Sequence, residues 1–354
     1  MQRTREGVPV KRRVSSALSM PPRVRITDVA RSAGVSISTV SRVVNGVDSK
    51  VSGDTMERVR ATIAELDYRP ARIGRALRKA QTQLVALLIP DTSNAFYAAI
   101  ARSIEAALAE TGHSMILCNT KEDPSVQDHY LNEMEAHMVR GIALLGAVDS
   151  PGLHRAVRQN LPIVFVNRKP PGRIAGPFVG IDNRRAGRDV ANHFLERGFA
   201  PCAAIHGPLS SSASRERFEG FRDRLAEAGR PLADRFVREA QLNMESGYGN
   251  AAALLGGKAA PRAVFCGNDL IAYGAFRRCR ELGLKVPDDV ALFGFDDNPL
   301  NEWIAPWLST VHVPCDMIGP IVRRELERLW EPRDGAQERD PAPLPYRIVL
   351  RSST

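Results

Sequence analysis

No stretch of the chain approaches the roughly 20 uninterrupted apolar residues that a membrane-spanning helix requires, which excludes a membrane-embedded protein. Cysteine is scarce. The five present (118, 202, 266, 279 and 315) are odd in number, far apart and without a C-x-x-C pair, so neither a disulfide framework nor a zinc site is expected. They read as core residues. The first residues are basic at Arg3, Arg5, Lys11, Arg12 and Arg13, but residues 14–20 are broken by serine where a secretory signal needs roughly 7 to 15 apolar residues. A cytoplasmic protein is the expectation, with Met20 an alternative start. Catalytic patterns are missing as well. There is no H-E-x-x-H and no G-x-S-x-G, and the seven histidines form no spaced pair. Gly257-Lys258 is followed by alanine and has no glycine at position 252, which excludes a P-loop. Gly247-Tyr-Gly249-Asn-Ala-Ala252 fits the loose dinucleotide pattern but lacks a clear preceding strand and reads as a plain helix start. No nucleophile and base stand together, and no cofactor or metal is implied. The chain does not read as an enzyme.

What is present begins with charge. The chain has 354 residues and a formal net charge of +9, enough length for two to three domains. Residues 1–22 carry five basic and one acidic side chain, and residues 23–80 carry twelve and six. The remaining 274 residues hold 32 basic and 33 acidic groups, so all the excess positive charge lies in the first eighty. Clustered lysine and arginine neutralise phosphates and release counterions, which points to a polyanionic partner for this part alone. Residues 1–22 read as a solvated basic tail.

Within residues 23–69 the apolar spacing gives three short helices. Thr27 reads as the N-cap of the first with Asp28 in its first turn, and Val29, Ala30 and Ala33 make its apolar face, ending at Gly34. Ser36-Ile37-Ser38-Thr39 then opens a second helix whose Val40, Val43 and Val44 recur at helical spacing. A permissive Gly34 and a small Val35 plug are what two short helices at a steep angle need, so the pair reads as a helix-turn-helix. Its second helix would read DNA. Ile37, Ser38, Ser41, Arg42 and Asn45 lie off the apolar face, with Arg42 the candidate for a bidentate contact to guanine. Ser36 and Thr39 suit phosphate oxygens. A third helix from Ser52, with Val59, Ile63, Leu66 and Tyr68, closes the small core.

These residues carry a resemblance. The run from Ile26 to Gly46, with Ala64-Glu-Leu-Asp-Tyr68-Arg-Pro70, resembles the DNA-binding headpiece of the LacI/GalR family of bacterial transcription regulators. It continues as Ala71-Arg-Ile-Gly-Arg-Ala-Leu-Arg78, similar to the family's hinge helix, in which a leucine pries open a base step in the minor groove. The resemblance implies that Leu77 is that wedge, that residues 70–80 are the hinge, and that Thr27, Arg72, Arg75 and Arg78 also touch DNA. Gly74 departs from the helix formers usual there and should weaken the hinge helix.

Residues 81–354 alternate short apolar runs with amphipathic segments. Strands read at 84–90, 115–118, 142–145, 163–166, 178–181, 202–205, 263–266, 290–293 and 346–350. Repeated strand–helix alternation implies parallel sheets covered on both faces, and this length implies two lobes. Ligands bind such sheets at the carboxyl ends of the strands, around a cleft that can close. The residues there include Phe96, Tyr97, Asn119, Asn167, Arg168, Asn268 and Asp296: planar hydrogen-bonders and aromatic faces suited to a hydroxyl-rich ligand. Gly207-Pro-Leu-Ser with Arg215, Phe265-Cys-Gly-Asn268-Asp269 and Phe293-Gly-Phe-Asp296 resemble the effector-site segments of the family's periplasmic-binding-protein-like (type I) domain. The resemblance implies that Arg215, Asn268 and Asp296 hydrogen-bond an effector, with Arg168, Leu242 and Trp303 as further contacts.

The expectation is therefore an all-α headpiece plus a two-lobed α/β effector-binding and dimerisation domain. The function implied is a ligand-responsive regulator, a repressor of carbohydrate or related catabolic genes, binding a palindromic operator as a homodimer. Its partners would be double-stranded operator DNA and a small sugar, sugar acid or similar metabolite. The rival readings are a sugar-modifying enzyme with a fused DNA-binding domain and a transport-type solute receptor.

Overall fold

The computed structural model describes residues 24–46, 50–68, 82–257, 260–331 and 341–354. The basic tail and the expected hinge, with Arg72, Gly74, Arg75, Leu77 and Arg78, lie outside these residues. The chain divides into two compact units, residues 1–78 and 79–354.

The first unit contains helices α1 (Ile26–Ala33), α2 (Ile37–Val44) and α3 (Gly53–Glu65). Val29, Val40 and Val59, one from each helix, are fully buried against each other, with Val35 packed beside them. The sharp turn between α1 and α2 is made at Gly34, whose φ of 64° is the left-handed conformation that glycine adopts without a Cβ penalty. Helix α2 begins at Ser36, whose hydroxyl accepts from the Thr39 amide. Helix α1 begins one turn-fraction earlier than the hydroxyl at position 27 suggests. Its cap is Arg25, whose amide donates to Asp28 Oδ2 at 2.9 Å, so Thr27 stands inside the helix with its side chain exposed. The carboxylate three residues on, rather than the preceding hydroxyl, satisfies the free amide end.

The second unit is built on two sheets. In the first lobe β1 (Leu84–Ile89), β2 (Ser114–Asn119), β3 (Gly141–Leu145), β4 (Ile163–Val166) and β5 (Phe178–Val179) lie in the order β2-β1-β3-β4-β5, all neighbours parallel. The second lobe holds β6 (Cys202–His206), β7 (Val237–Glu239), β8 (Ala263–Cys266) and β9 (Ala291–Phe293) in the order β7-β6-β8-β9, again parallel. Central strands such as β1 and β8 are apolar throughout because both faces are covered by helices. A short antiparallel pair, β10 (Thr310–His312) with β11 (Arg347–Val349), stands apart. The three-residue strands β7 and β10 are additions to the expected set. Both are too short and too mixed in polarity to show a period, and β7 is a sheet edge.

The chain changes lobe more than once. After β10 it returns as α12 (Cys315–Trp330), which packs on α4 (Ala95–Ala109) of the first lobe, where the Gly319 amide donates to Ser103 Oγ at 3.0 Å. In the second lobe, α7 (Asn183–Glu196) and α8 (Ser212–Glu227) are in close contact, as are α9 (Met244–Leu255) and α10 (Asp269–Glu281). Gly247 belongs to the latter contact. A Cβ there would come within 2.3 Å of the Ile271 carbonyl oxygen, so the first glycine of the G-x-G pattern serves helix packing, while Gly249 has open space around it. Of the cysteines, 118, 266 and 279 are buried and 202 and 315 partly so, all with free thiols.

Candidate effector cleft and DNA-reading helix

The strands of both sheets end at one cleft. From the first lobe, Phe96 and Tyr97 follow β1, and Asn167 and Arg168 follow β4; from the second, Ser211, Ser214 and Arg217 follow β6, while Leu242, Asn268 and Asp296 follow β7, β8 and β9. The free space between them is about 10 Å³, roughly room for one water molecule. The lobes are thus drawn together. Lys169 of the first lobe donates its amide to Ser212 Oγ at 2.8 Å, and its ammonium lies 2.7 Å from Glu216 of the second.

Each polar wall is fixed from behind. Arg217, on α8, gives Nε and Nη2 to Asn183 Oδ1 at 3.2 and 3.0 Å and Nη1 to the Gly267 carbonyl at 2.6 Å, while its guanidinium lies 3.6 Å over the Phe295 ring. Its nearest formal counter-charge is Asp296 Oδ1, 3.5 Å away. Burial lowers the Arg217 pKa despite that neighbour. The Asp296 carboxyl is pushed by burial up to about 7, with Arg217 pulling the other way. Asp296 is also held in an uncommon backbone conformation, φ 101°, because its amide donates to the Val311 carbonyl while its own carbonyl accepts from Val313. Asn268 caps α10 with its Oδ1 and reaches the Leu242 carbonyl with Nδ2 at 3.4 Å.

Beneath this wall sits Asp269, fully buried. It accepts from the Asn298 amide at 2.6 Å, Thr310 Oγ1 at 2.7 Å and Asn301 Nδ2 at 2.9 Å, tying the loop that carries Asp296 to α10 and β10. Burial raises its carboxyl to about 6 against those three bonds. On the opposite wall Arg168, 3% exposed, donates Nη2 to Glu122 Oε1 at 2.6 Å. Tyr97 lies among Arg168, Glu122, Asp296 and Arg217, and burial raises its phenol to about 12.

Of the residues expected in the cleft, Phe96, Tyr97, Arg168, Leu242, Asn268 and Asp296 line it together. Three do not. Arg215 is exposed and donates to the Leu209 carbonyl at 2.9 Å, because it stands two residues from Arg217 on α8 and so faces away; Arg217 holds the inward position. Asn119 is engaged outside, with Oδ1 accepting from the Lys121 amide. Trp303 is 81% exposed and makes no part of the lining. Asn183 and Glu122 were not anticipated. Neither has a local signal: one opens a helix and the other sits on a loop with φ of 57°. Among the described residues, no group of three His, Cys, Asp or Glu could hold a metal and no helix is long and apolar enough to cross a membrane.

In the headpiece, Ile37, Ser38 and Arg42 project from α2 into solvent, Ile37 being 49% exposed. Ser36 Oγ is within 2.9 Å of Thr39 Oγ1 and 2.8 Å of Ser38 Oγ, so three hydroxyls cluster at the helix start beside its free amides. Asn45 caps the other end.

A helix-turn-helix headpiece in one chain with a two-lobed parallel α/β domain defines a class of DNA-binding bacterial regulators. Residues 25–71 match the lacI family of bacterial regulatory proteins, and residues 191–354 match the periplasmic binding protein-like domain. The chain is 34% identical over 333 residues to the HTH-type transcriptional regulator DegA of Bacillus subtilis, covering 93% of this chain and 97% of that protein. It is 34% identical over 296 residues to the ribose operon repressor of Escherichia coli K12, covering 83% and 89%. Among solved structures, the lac repressor dimer bound to operator and the anti-inducer ONPF superposes with a TM-score of 0.80 at 27% identity, covering 94% of this chain and 99% of that one. The transcriptional regulator CelR–cellobiose complex gives 0.70 at 29% identity, covering 94% and 100%. The chain belongs to the LacI family. These relatives are regulators, which leaves the sugar-modifying enzyme without support.

Proposed function

We propose that this protein is a repressor whose affinity for a palindromic operator is set by a small, hydroxyl-bearing metabolite held in the cleft between its lobes, and that it acts in the cytoplasm as a homodimer. The observation that carries this reading is the cleft. Two buried arginines, a buried carboxyl and an aromatic face supplied by Phe96 and Tyr97 at the edge of the core converge at the strand ends. Similarity to a ribose operon repressor, to a regulator in complex with cellobiose and to the lac repressor bound to operator and an anti-inducer supports a carbohydrate-linked role. Base reading falls to Ile37, Ser38, Ser41, Arg42 and Asn45, phosphate contact to Ser36, Thr39 and Arg72, and the minor-groove wedge to Leu77, with Thr27, Arg75 and Arg78 as further DNA contacts. One headpiece touches too few bases to be selective, so two must be held together.

The lobe surfaces supply the joint. Leu300, Trp303 and Ile304 are 41%, 81% and 55% exposed around helix α11 (Asn301–Ile304), an apolar patch of the kind that marks association. Ligand-driven lobe movement would change the spacing of the two hinge segments, so that ligand and operator share a reciprocal coupling of about 1 to 3 kcal/mol. The test is operator affinity by fluorescence anisotropy on DNA selected from random sequence, with and without ligands found by thermal shift. Asp296→Ala is expected to bind operator normally and to lose the ligand's effect. A normal ligand response in that variant would place the effector elsewhere.

A further inference from the structure

We propose that the metabolite is an anion: a polyol carrying a carboxylate or phosphate, whose charged end lies between Arg168 and Arg217. This rests on the reading of the cleft as the effector site and narrows the ligand's class. The side chains facing the cleft include two guanidiniums and one carboxylate, so the lining carries an excess of positive charge. Glu122, outside the lining, offsets Arg168, whereas a neutral sugar brings no counter-charge to Arg217. Arg217 is satisfied geometrically yet under-compensated electrically. Arg217 spends its close hydrogen bonds on two neutral oxygens, the Asn183 amide and the Gly267 carbonyl, with Asp296 at 3.5 Å as its nearest anion. Bringing a buried guanidinium its full counter-charge is favourable, and planar carboxylate or phosphate is the group that guanidinium geometry matches.

Arg168 shows how such an anion would be received. Its counter-ion is Glu122, which is not part of the cleft lining, lies 2.6 Å away and is itself 30% exposed. Glu122 is delivered by a loop in which Lys121 and Glu122 have φ of 55° and 57°, two consecutive non-glycine residues in the left-handed region. A carboxylate held on such a loop is an internal stand-in: it neutralises Arg168 when the cleft is empty and yields when a ligand anion arrives in the cleft. Glu122 then competes with the ligand for Arg168, and removing its charge should favour binding.

The experiment uses the full-length protein and a defined panel: D-gluconate and D-galactonate as carboxylates, D-glucose 6-phosphate and D-ribose 5-phosphate as phosphates, and D-glucose, D-galactose and D-ribose as neutral counterparts. Binding is read by calorimetry and operator release by anisotropy in parallel. At least one acid is expected to bind ten-fold or more tightly than its neutral counterpart. Arg168→Gln should weaken that binding ten-fold or more, and Glu122→Gln should tighten it several-fold. If the pair were merely structural, both variants would weaken it. Neutral sugars binding as tightly as the acids, or no acid binding at all, overturns the proposal; a neutral sugar that releases operator does so while leaving the regulatory reading intact. An acid that binds as expected without altering operator affinity instead removes the regulatory reading. Which acid class responds separates carboxylate from phosphate.

Discussion

Gly187 of α7 lies against the backbone of Arg217 on α8 so closely that a Cβ on the glycine would stand 2.0 Å from the Arg217 carbonyl oxygen. The contact is matched one turn on, where a Cβ at Gly220 would meet the Arg184 carbonyl at 2.0 Å. Two helices touching backbone to backbone bring Asn183, the first residue of α7, within hydrogen-bond reach of the Arg217 guanidinium. A glycine at a distance from the cleft thereby sets the position of its central cation.

Gly187→Ala is accordingly expected to do more than overpack a core. Because the obstacle is backbone, no side chain can rotate aside, and the helices must separate at a cost of about 1 to 3 kcal/mol. The melting temperature should fall, and effector affinity should fall further than Gly187 could cause by any contact of its own. A variant that melts lower but binds ligand normally would break the link between this packing and Arg217.

The Asp296 carboxyl yields a signed pH dependence. Its value in the folded protein, about 7, lies above the ordinary 3.8, so the folded state holds a proton that the unfolded chain releases. Stability from this group is complete below the ordinary value and is lost as pH rises through about 7. Between about pH 5 and pH 8 the wild type should therefore lose stability relative to Asp296→Asn, which has no proton to release. Calorimetric melting of both across that range gives the comparison, and parallel curves would contradict the assignment.

The headpiece was open to reading because its information is local: glycine at the turn, a serine cap and valines at helical spacing all fall within one short run, and Val29, Val40 and Val43 are buried as that spacing requires. The cleft was half open. Strand ends carry its residues, so Tyr97, Arg168 and Asn268 could be picked from position alone. Choosing between Arg215 and Arg217 needed the helix face. Ala213, Arg217 and Phe221 recur at a spacing of four and are all buried, a signal present in the sequence and masked by the charge of its middle member. Glu122 and Asn183 could not be found this way, since each gains its partner only through a contact between elements distant in the chain.

For DNA, Arg42→Ala should cost about 1 to 3 kcal/mol and relax preference at one base position in each half-site. Exchanging Ile37 and Ser38 should instead change which operator is preferred while the headpiece stays folded, since both are exposed at the start of α2. Selection from random DNA followed by anisotropy measures both effects. Uniform weakening on all sequences by Arg42→Ala would make it a phosphate contact.

Trp303 gives the test of assembly. An indole 81% exposed beside Leu300 and Ile304 contributes nothing to the fold of its own lobe, so Trp303→Glu should leave the melting of the isolated subunit unchanged. Placed in a self-complementary interface, the same charge is brought against apolar surface and against its own copy, because a two-fold joint sets like beside like. Burying a carboxylate there without a partner is unfavourable by several kcal/mol, enough to shift a dimer to monomer at micromolar concentration. Operator affinity should then collapse with it, since selectivity requires two headpieces at once. Sedimentation and anisotropy on the same sample provide the two readouts. A Trp303→Glu protein that remains dimeric would move the joint to another surface of the lobes, and a monomer that still binds a palindrome tightly would remove the need for a joint altogether.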